Sequence, residues 1–500
     1  MTSISQLVDG MKNTQRARFL FALIAASSLV GLSTSAQAQN KLKIEEVIVT
    51  AEKREQSLQD VPISISAFNE TELDKRGIDE VEDIAANVPN LVINSFNNDA
   101  STVRLFIRGI GQNDVQLTQD PSVAMYVDGV YVGTSIGSGL EMADLERIEV
   151  LRGPQGTLYG RNATGGAVNL ITKKPDLDTF SINQVITAGN FDQFKAKTTI
   201  NQPLSDTSAA KLAIYKSRRD GFVENTGVGP DWGLEDREGF RVDYTSQLTD
   251  NLTLDLSYDK TNVGDSGRFE QIRGNISPFI APVVSSTVPF QDARIDKAAS
   301  FRNLGESKVK VDGTTMTLSW DVNDLLAIKS ITGMRNVTSN IEHDGTPHIG
   351  VTFTAAGPKS VSYSIRNTEF EQFSTELQFI GSNAASTIDY VAGIYYYDDK
   401  SEQDVPFGES VLGDREQDFT TSENKSLAFY GQVTFSPESF DDRLHLTLGG
   451  RHSEDKRKAF RNNENSVTFA ELGGYTAANC ANPYFYTEDL DNDPNTPATH

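Results

Sequence analysis

The chain of 500 residues carries 45 basic and 69 acidic side chains, a net charge of −24, which excludes the basic face that a nucleic-acid binder needs to neutralise phosphate. Its single cysteine, Cys480, excludes an internal disulfide and a multi-thiolate zinc site. Glycine (38) and proline (17) lie near ordinary usage, so neither disorder nor collagen-like repetition is indicated.

The first element is an export signal. Lys12, Arg16 and Arg18 form a positive region, 19–32 is apolar, and Ala36-Gln37-Ala38 offers small residues for cleavage. That order reads as a signal peptide over 1–38; the apolar run is too short for a comfortable membrane span. The alternative is an amphipathic N-terminal helix of a soluble domain. No later stretch has the apolar length of a transmembrane helix, so an exported chain of this kind is periplasmic, secreted or an outer-membrane barrel. A polar segment, 39–51, follows. Within it Val47, Val49 and Ala51 alternate with Ile48 and Thr50, a pattern that can pair as an added edge strand.

Residues 52–175 read as a compact α+β module. A short strand is expected over 61–68, and Leu73, Ile78, Val81 and Ile84 fall at roughly helical spacing through 70–88. Asp128-Gly129 between apolar runs signals a hairpin. Arg152-Gly153-Pro154 marks a tight turn, and Gly156, Gly160, Gly165 and Gly166 read as further turns with close backbone packing.

From residue 180 the period becomes two. Leu252, Leu254, Leu256 and Tyr258 alternate with polar residues; so do Met316, Leu318 and Trp320, and Leu427, Phe429, Val433 and Phe435. Strands are expected over 180–189, 194–203, 209–217, 237–248, 252–262, 313–322, 325–336, 366–381, 387–397, 424–436 and 443–452. Alternation alone does not separate a soluble sandwich from a membrane barrel. The connections favour the barrel. After the first hairpin, short links (204–208, 249–251, 323–324, 382–386, 437–442) alternate with long ones (218–236, 263–312, 337–365, 398–423 and 453 onward), as periplasmic turns and external loops do. Phe379, Tyr395, Tyr396 and Tyr397 are placed near strand ends, where an aromatic girdle belongs; each is also compatible with an ordinary strand aromatic.

Patterns that resemble catalytic or metal motifs are weak. Gly133-Thr134-Ser135-Ile136-Gly137 has the form of a hydrolase elbow but lacks a convincing helix after it. Gly160 to Gly166 has phosphate-loop spacing without the lysine and hydroxyl. His343 and His348 lack the zinc-protease frame. Asp489, Asp491 and Asp493 start like a calcium loop, but Pro494 and His500 stand where a glycine and a bidentate glutamate belong.

The stretch LERIEVLRGPQGTLYGRNATGGAVNLITKKP (145–175) resembles the end of the plug domain of TonB-dependent outer-membrane receptors. LFIRG (105–109) and 123–133 resemble earlier plug segments, and Glu45, Glu46, Val47, Ile48, Val49, Thr50 and Ala51 resemble the TonB box. The resemblance implies a mainly β chain: an α+β plug inside a transmembrane antiparallel barrel of about 22 strands, its lumen plugged, of which roughly eleven are present here. It implies that 39–51 is the box segment, engaging the periplasmic domain of TonB; the alternative is a plain N-terminal strand of the plug. Arg108 and Arg152 are implied to pair with acidic residues of the inner barrel wall, though local carbonyls would serve them as well. Solute is expected against 112–119 and parts of 263–312. No enzyme activity, catalytic residue, metal site or cofactor is implied, iron entering only inside a transported complex. The function implied is import of a scarce bulky solute across the outer membrane, by default a ferric–siderophore complex. Oligosaccharides or other nutrients are the rival cargo, and a non-transporting surface adhesin or a secreted hydrolase the rival classes. Eleven strands cannot close such a barrel, and an open edge cannot face lipid, so 180–500 is expected to be the N-terminal part of a longer barrel.

Overall fold

A computed structural model describes residues 47–271 (less 79, 97–98 and 140–143), 284–286, and 293–467 (less 301–304, 345–348, 352–358, 361, 411–413 and 441–442). The expected signal peptide, Glu45, Glu46, His348, Cys480 and the aspartates near 490 lie outside these residues.

The N-terminal module begins with β1 (Ile48–Val49), which folds back antiparallel on β2 (Gln56–Ser57). β3 (Ile65–Asn69) runs directly into α1 (Glu70–Arg76). Asn69 ends the strand and caps the helix, its side chain accepting from the Glu72 N–H at 2.9 Å. Gly77, at φ 64°, ends it in the left-handed conformation that glycine adopts without strain. The helical spacing read through 70–88 is thus split: α1 stops at Gly77, and a separate 3-10 turn covers Val81–Ala86. β4 (Leu91–Phe96), β5 (Asp99–Ile107) and β6 (Ile110–Gly111) form a small sheet. β7 (Val123–Val127), β8 (Val130–Tyr131), β9 (Leu145–Arg152) and β10 (Gly166–Thr172) join β3 in a five-stranded sheet of order β3-β9-β10-β7-β8. Leu73, Ile78, Val81 and Ile84 pack on the face carrying Ile148, Val150, Val168 and Leu170, all buried. This is an ordinary water-excluded core.

The rest is one large antiparallel sheet. Its first strands are β11 (Ser181–Ala188), β12 (Phe194–Ser205) and β13 (Ser208–Arg219). A short β14 (Glu224–Asn225) precedes β15 (Glu235–Thr249) and β16 (Leu252–Asp265). The segments β17 (Val284–Ser286) and β18 (Lys297–Ala298) lie in the next connection, before β19 (Ser307–Asn323) and β20 (Leu326–Asp344). After β21 (Ile349–Val351) and β22 (Lys359–Ser360) come β23 (Ser362–Ser382), β24 (Ile388–Ser410), β25 (Asp414–Phe435) and β26 (Leu446–Val467). Eleven of these strands form the sheet in chain order, from β11 to β26.

All eleven expected strands are present, several longer than expected. The expected 398–423 loop is corrected most: β24 runs to Ser410 and β25 starts at Asp414, so strand replaces loop. The physical reason is that alternation marks only the stretch in contact with lipid. Beyond it the outward face meets water while the buried inward face is polar, as at Asp399, Ser401, Gln403, Asp418, Thr420 and Ser422, so paired strands continue without an apolar signature.

The two faces of the sheet settle which medium surrounds it. In β15 the inward side chains Arg237, Arg241 and Asp243 are buried, whereas outward Val242 is 41% exposed. Outward Ile214, Met316, Trp320, Phe429 and Phe435 are likewise exposed. Charge inside and apolar side chains outside reverse a soluble sandwich and match a lipid-facing wall. The girdle expectation fails for two of its residues. Tyr397 is 1% exposed and, with Tyr395 stacked beside it, faces the lumen mid-strand, packing edge-on against Tyr131 of the N-terminal module at 5.6 Å.

Candidate functional site

The N-terminal module sits against the inner wall, and the candidate site is the seam between them. Its lower end, where strands are joined by short turns, holds residues 47–56. Val49 and Ala51 are buried, joining a cluster with Tyr126, Leu158, Tyr159 and the wall residues Val391 and Tyr430. The segment read from sequence as a polar strand free to pair is therefore tucked away in this conformation, because its alternate small apolar side chains fill that cluster. Thr50 donates its N–H to Glu149 Oε1 at 2.8 Å. The next residues reach the wall: Lys53 pairs with Glu376 at 3.3 Å, Arg54 with Asp389 at 3.1 Å, and Gln432 donates to Glu52 at 3.0 Å. Thr50, Lys53 and Glu55 also line a cavity of about 330 Å³ between module and wall, together with Lys174, Asp255 and Lys329.

Mid-height, the Asp128-Gly129 hairpin tip meets β15. Both residues have positive φ, 50° and 84°, as a two-residue primed turn requires. That turn aims the Asp128 carboxylate at Arg241 (2.7 Å), which also holds Asp243 (2.8 Å). Lys211 bridges Asp243 (3.4 Å) and Asp144 of the module (2.8 Å). Two carboxylates of the module, Asp128 and Asp144, thus end a chain of ion pairs that runs through wall residues Arg241, Asp243 and Lys211. The approach is close: a methyl on wall Gly333 would come within 2.4 Å of Val130, and one on Gly133 within 2.0 Å of the Tyr397 hydroxyl.

Higher up, Glu80 lies between Arg237 (3.0 Å) and Lys195 (3.7 Å). Burial alone would raise the Glu80 carboxyl, but these cations hold it below its ordinary range. Asp120 is shared by Arg161 at 2.9 Å and Arg457 of the wall. Gln372 accepts from the Gly133 N–H at 2.8 Å and donates to the Tyr131 carbonyl at 2.6 Å. Burial keeps the phenols of Tyr131 and Tyr159 protonated far above their ordinary range, so both act as neutral packing and hydrogen-bonding groups.

The seam is not purely polar. Val115 and Ile136 of the module pack with Val309, Val311, Val337 and Phe370 of the wall.

Arg108 and Arg152 do not make the pairing expected of them; among the described residues neither meets a wall carboxylate. Arg108 sits exposed at the β5–β6 turn with φ 52°, its N–H donated to the Asn90 carbonyl and its guanidinium over Gly153. Arg152 ends β9 inside the module sheet, donates its N–H to Ser64, and has a buried Nε without a partner. Both belong to one corner of the module rather than to the seam.

At the upper end the 112–121 loop forms a narrow cleft with Ser135, Phe370, Asp399, Ser401 and Asn424. The long connections above are packed together: β14 pairs with β18, Trp232 lies against Phe269, and Arg268 reaches down to Glu82 at 2.6 Å. Ser135 stands in a turn whose carbonyl accepts from Ser138, and among the described residues that follow, β9 rather than a helix comes next, unlike a hydrolase elbow. No cluster of metal-ligating side chains occurs among the described residues.

The residues that carry the seam were missed in the sequence although two signals pointed to them. Arg237, Arg241 and Asp243 occupy the inward positions of a strand whose outward positions are apolar. Asp128 was read only as a turn residue.

The comparisons agree with this architecture. Residues 57–167 match the family model described as the TonB-dependent receptor plug domain. The chain is 27% identical over 252 residues to the vitamin B12 transporter BtuB of Vibrio vulnificus, covering 49% of this chain and 40% of that protein. It is 28% identical over 277 residues to the iron-regulated outer membrane virulence protein of Vibrio cholerae, covering 52% and 42% respectively. The chain therefore spans less than half the length of these relatives. Among solved structures, the ferric yersiniabactin uptake receptor FyuA of Yersinia pestis superposes with a TM-score of 0.66 at 19% identity, over 81% of this chain and 60% of that one. The ferripyoverdine receptor of Pseudomonas aeruginosa gives 0.64 at 15% identity, over 84% and 56%.

Proposed function

We propose that this chain, similar to TonB-dependent outer-membrane receptors in its plug and folded like them in its barrel wall, is seated in the outer membrane and imports a scarce bulky solute, foremost a ferric–siderophore complex. The observation that carries the reading is the short strand β1 (Ile48–Val49) within 47–51 at the lower end of the seam. It pairs with only the two residues of β2, and adjoining residues join both plug and wall. A short strand of this kind can be exchanged for pairing with another chain, which gives backbone affinity with side-chain selectivity. The partner we assign to 45–51 is the periplasmic domain of TonB, with traction on the strand transmitted to the contacts of Glu52, Lys53 and Arg54. Iron as cargo is supported by relatives and structural neighbours whose names specify ferric ligands or iron regulation. The cleft along 112–121 and the packed outer connections are the surfaces we assign to solute.

Vitamin B12 in the name of one relative keeps a second class of cargo in view. The test is growth and solute uptake in a strain lacking the gene, complemented with the full-length receptor. Restored use of one ferric siderophore under iron limitation is the expected result. Rescue by cobalamin or an oligosaccharide with no effect on iron would overturn the cargo assignment.

A further inference from the structure

Thr50 directly follows β1, within the segment assigned to coupling, and each of its polar groups is held by the plug. Its N–H donates to Glu149 Oε1 at 2.8 Å, and its hydroxyl lies 3.2 and 3.4 Å from the two Glu149 oxygens. Its carbonyl accepts from the Lys53 N–H at 3.0 Å and from the Tyr159 hydroxyl at 3.5 Å. Glu149 sits mid-strand in β9, between β3 and β10, and is fully buried. Asn169, its partner in register on β10, donates both to Glu149 (3.2 Å) and to the Tyr159 hydroxyl (2.9 Å). Arg147 supplies a further donor at 2.9 Å.

We propose that Glu149 is a positioning residue that latches the coupling strand: its carboxylate holds Thr50 in the closed state and gives Thr50 up when the strand is drawn out. The inference rests on the reading of 45–51 as the coupling strand. Pairing with another chain requires the backbone N–H groups of that strand, and the Thr50 N–H is committed to Glu149. At this residue the latched and partner-bound states exclude each other.

The chemistry also makes the latch reversible. A buried carboxylate stripped of donors is strongly unfavourable, and such a site would never open. Glu149 keeps Arg147 and Asn169 after Thr50 leaves, so opening removes only part of its solvation. Beyond Thr50, the described residues of this segment are held by the two-residue ladder of β1 and β2 and by the Leu58 N–H donated to the Val47 carbonyl at 2.9 Å. A neutral aliphatic residue at 149 would lose the grip, whereas glutamine would retain an acceptor for the Thr50 N–H.

The test uses the full-length receptor in outer-membrane vesicles, with Cys480→Ser and a reporter thiol, Val47→Cys. The rate of labelling by a polar maleimide is read without solute. Glu149→Ala is expected to raise that rate about tenfold, and Thr50→Val, which keeps the N–H but loses the hydroxyl, about two- to threefold. Glu149→Gln should restore most of the protection. Because Glu149→Ala strikes a core position, Thr50→Val supplies a variant outside the plug sheet. Labelling at the parent rate in both Glu149→Ala and Thr50→Val would overturn the latch. Binding of the purified periplasmic TonB domain to the same vesicles separates the two readings. Faster labelling without any TonB binding would leave the latch standing and remove the coupling assignment.

Discussion

The plug and the wall are written in the same alternating code but send their apolar side chains to opposite places. In the plug, Val150 and Val168 are both fully buried, between sheet and helix. In the wall, Val242 is 41% exposed while its neighbours Arg241 and Asp243 are 5% exposed each. The plug folds against water and hides its valines; the wall surrenders them to lipid and keeps its charges for the plug. The surface that joins the two units is consequently rich in desolvated ion pairs. Such pairs fix a geometry well but contribute little net stability, because desolvation offsets the attraction. A seam of that kind is specific in register and can be broken in steps.

Substitutions that reverse one region's rule should be costly in proportion to what surrounds the residue. Val168→Asp places an unpaired carboxylate in the plug core and should destabilise the plug by about 5 kcal/mol, read as loss of protease protection of residues 57–172. Arg241→Ala leaves Asp128 without its wall cation and Asp243 with Lys211 alone. It should cost about 3–5 kcal/mol, measured as loosened plug attachment in denaturant titration. Val242→Arg breaks the wall's rule instead and should cost about 2–4 kcal/mol when the full-length receptor is folded into bilayers. A neutral outcome there would mean that β15 does not face lipid. Lys216→Ala removes ion pairs to Asp236 and Glu238, all well exposed, and should change stability by less than about 1 kcal/mol.

Acid should act weakly on the upper seam. The folded-state pKa of Glu80 is depressed, so its contribution is fully present above the unfolded value of about 4.3. That contribution is lost as pH falls through the lower folded value. Glu80→Gln should flatten this limb of a pH titration of plug release; an unchanged limb would show that Glu80 does not contribute.

Much of the scaffold was legible in the sequence. The strand count and the short-turn end of the sheet followed from alternation and turn residues, because lipid imposes a strict period on one face. The length of β24 and β25 was not legible: above the membrane the outward face is wet and the buried inward face is polar, so no apolar period marks the strands. The girdle assignment of Tyr395 and Tyr397 failed for a related reason. A tyrosine facing a lumen filled by another domain is indistinguishable in sequence from one at an interface with lipid. Arg108 and Arg152 illustrate the same limit at the seam. Each precedes a glycine, which marks a turn, but a turn does not say where its neighbour's side chain finds charge. Glu149 lay within the stretch that carried the family resemblance, and only the fold brings it to Thr50, ninety-nine positions earlier.

The most direct test of the account is a paired measurement of solute binding and energised uptake by the full-length receptor with residues 45–51 removed. Retained surface binding with uptake reduced to the level of a strain lacking the receptor is the predicted result. Uptake at the parent rate would contradict it.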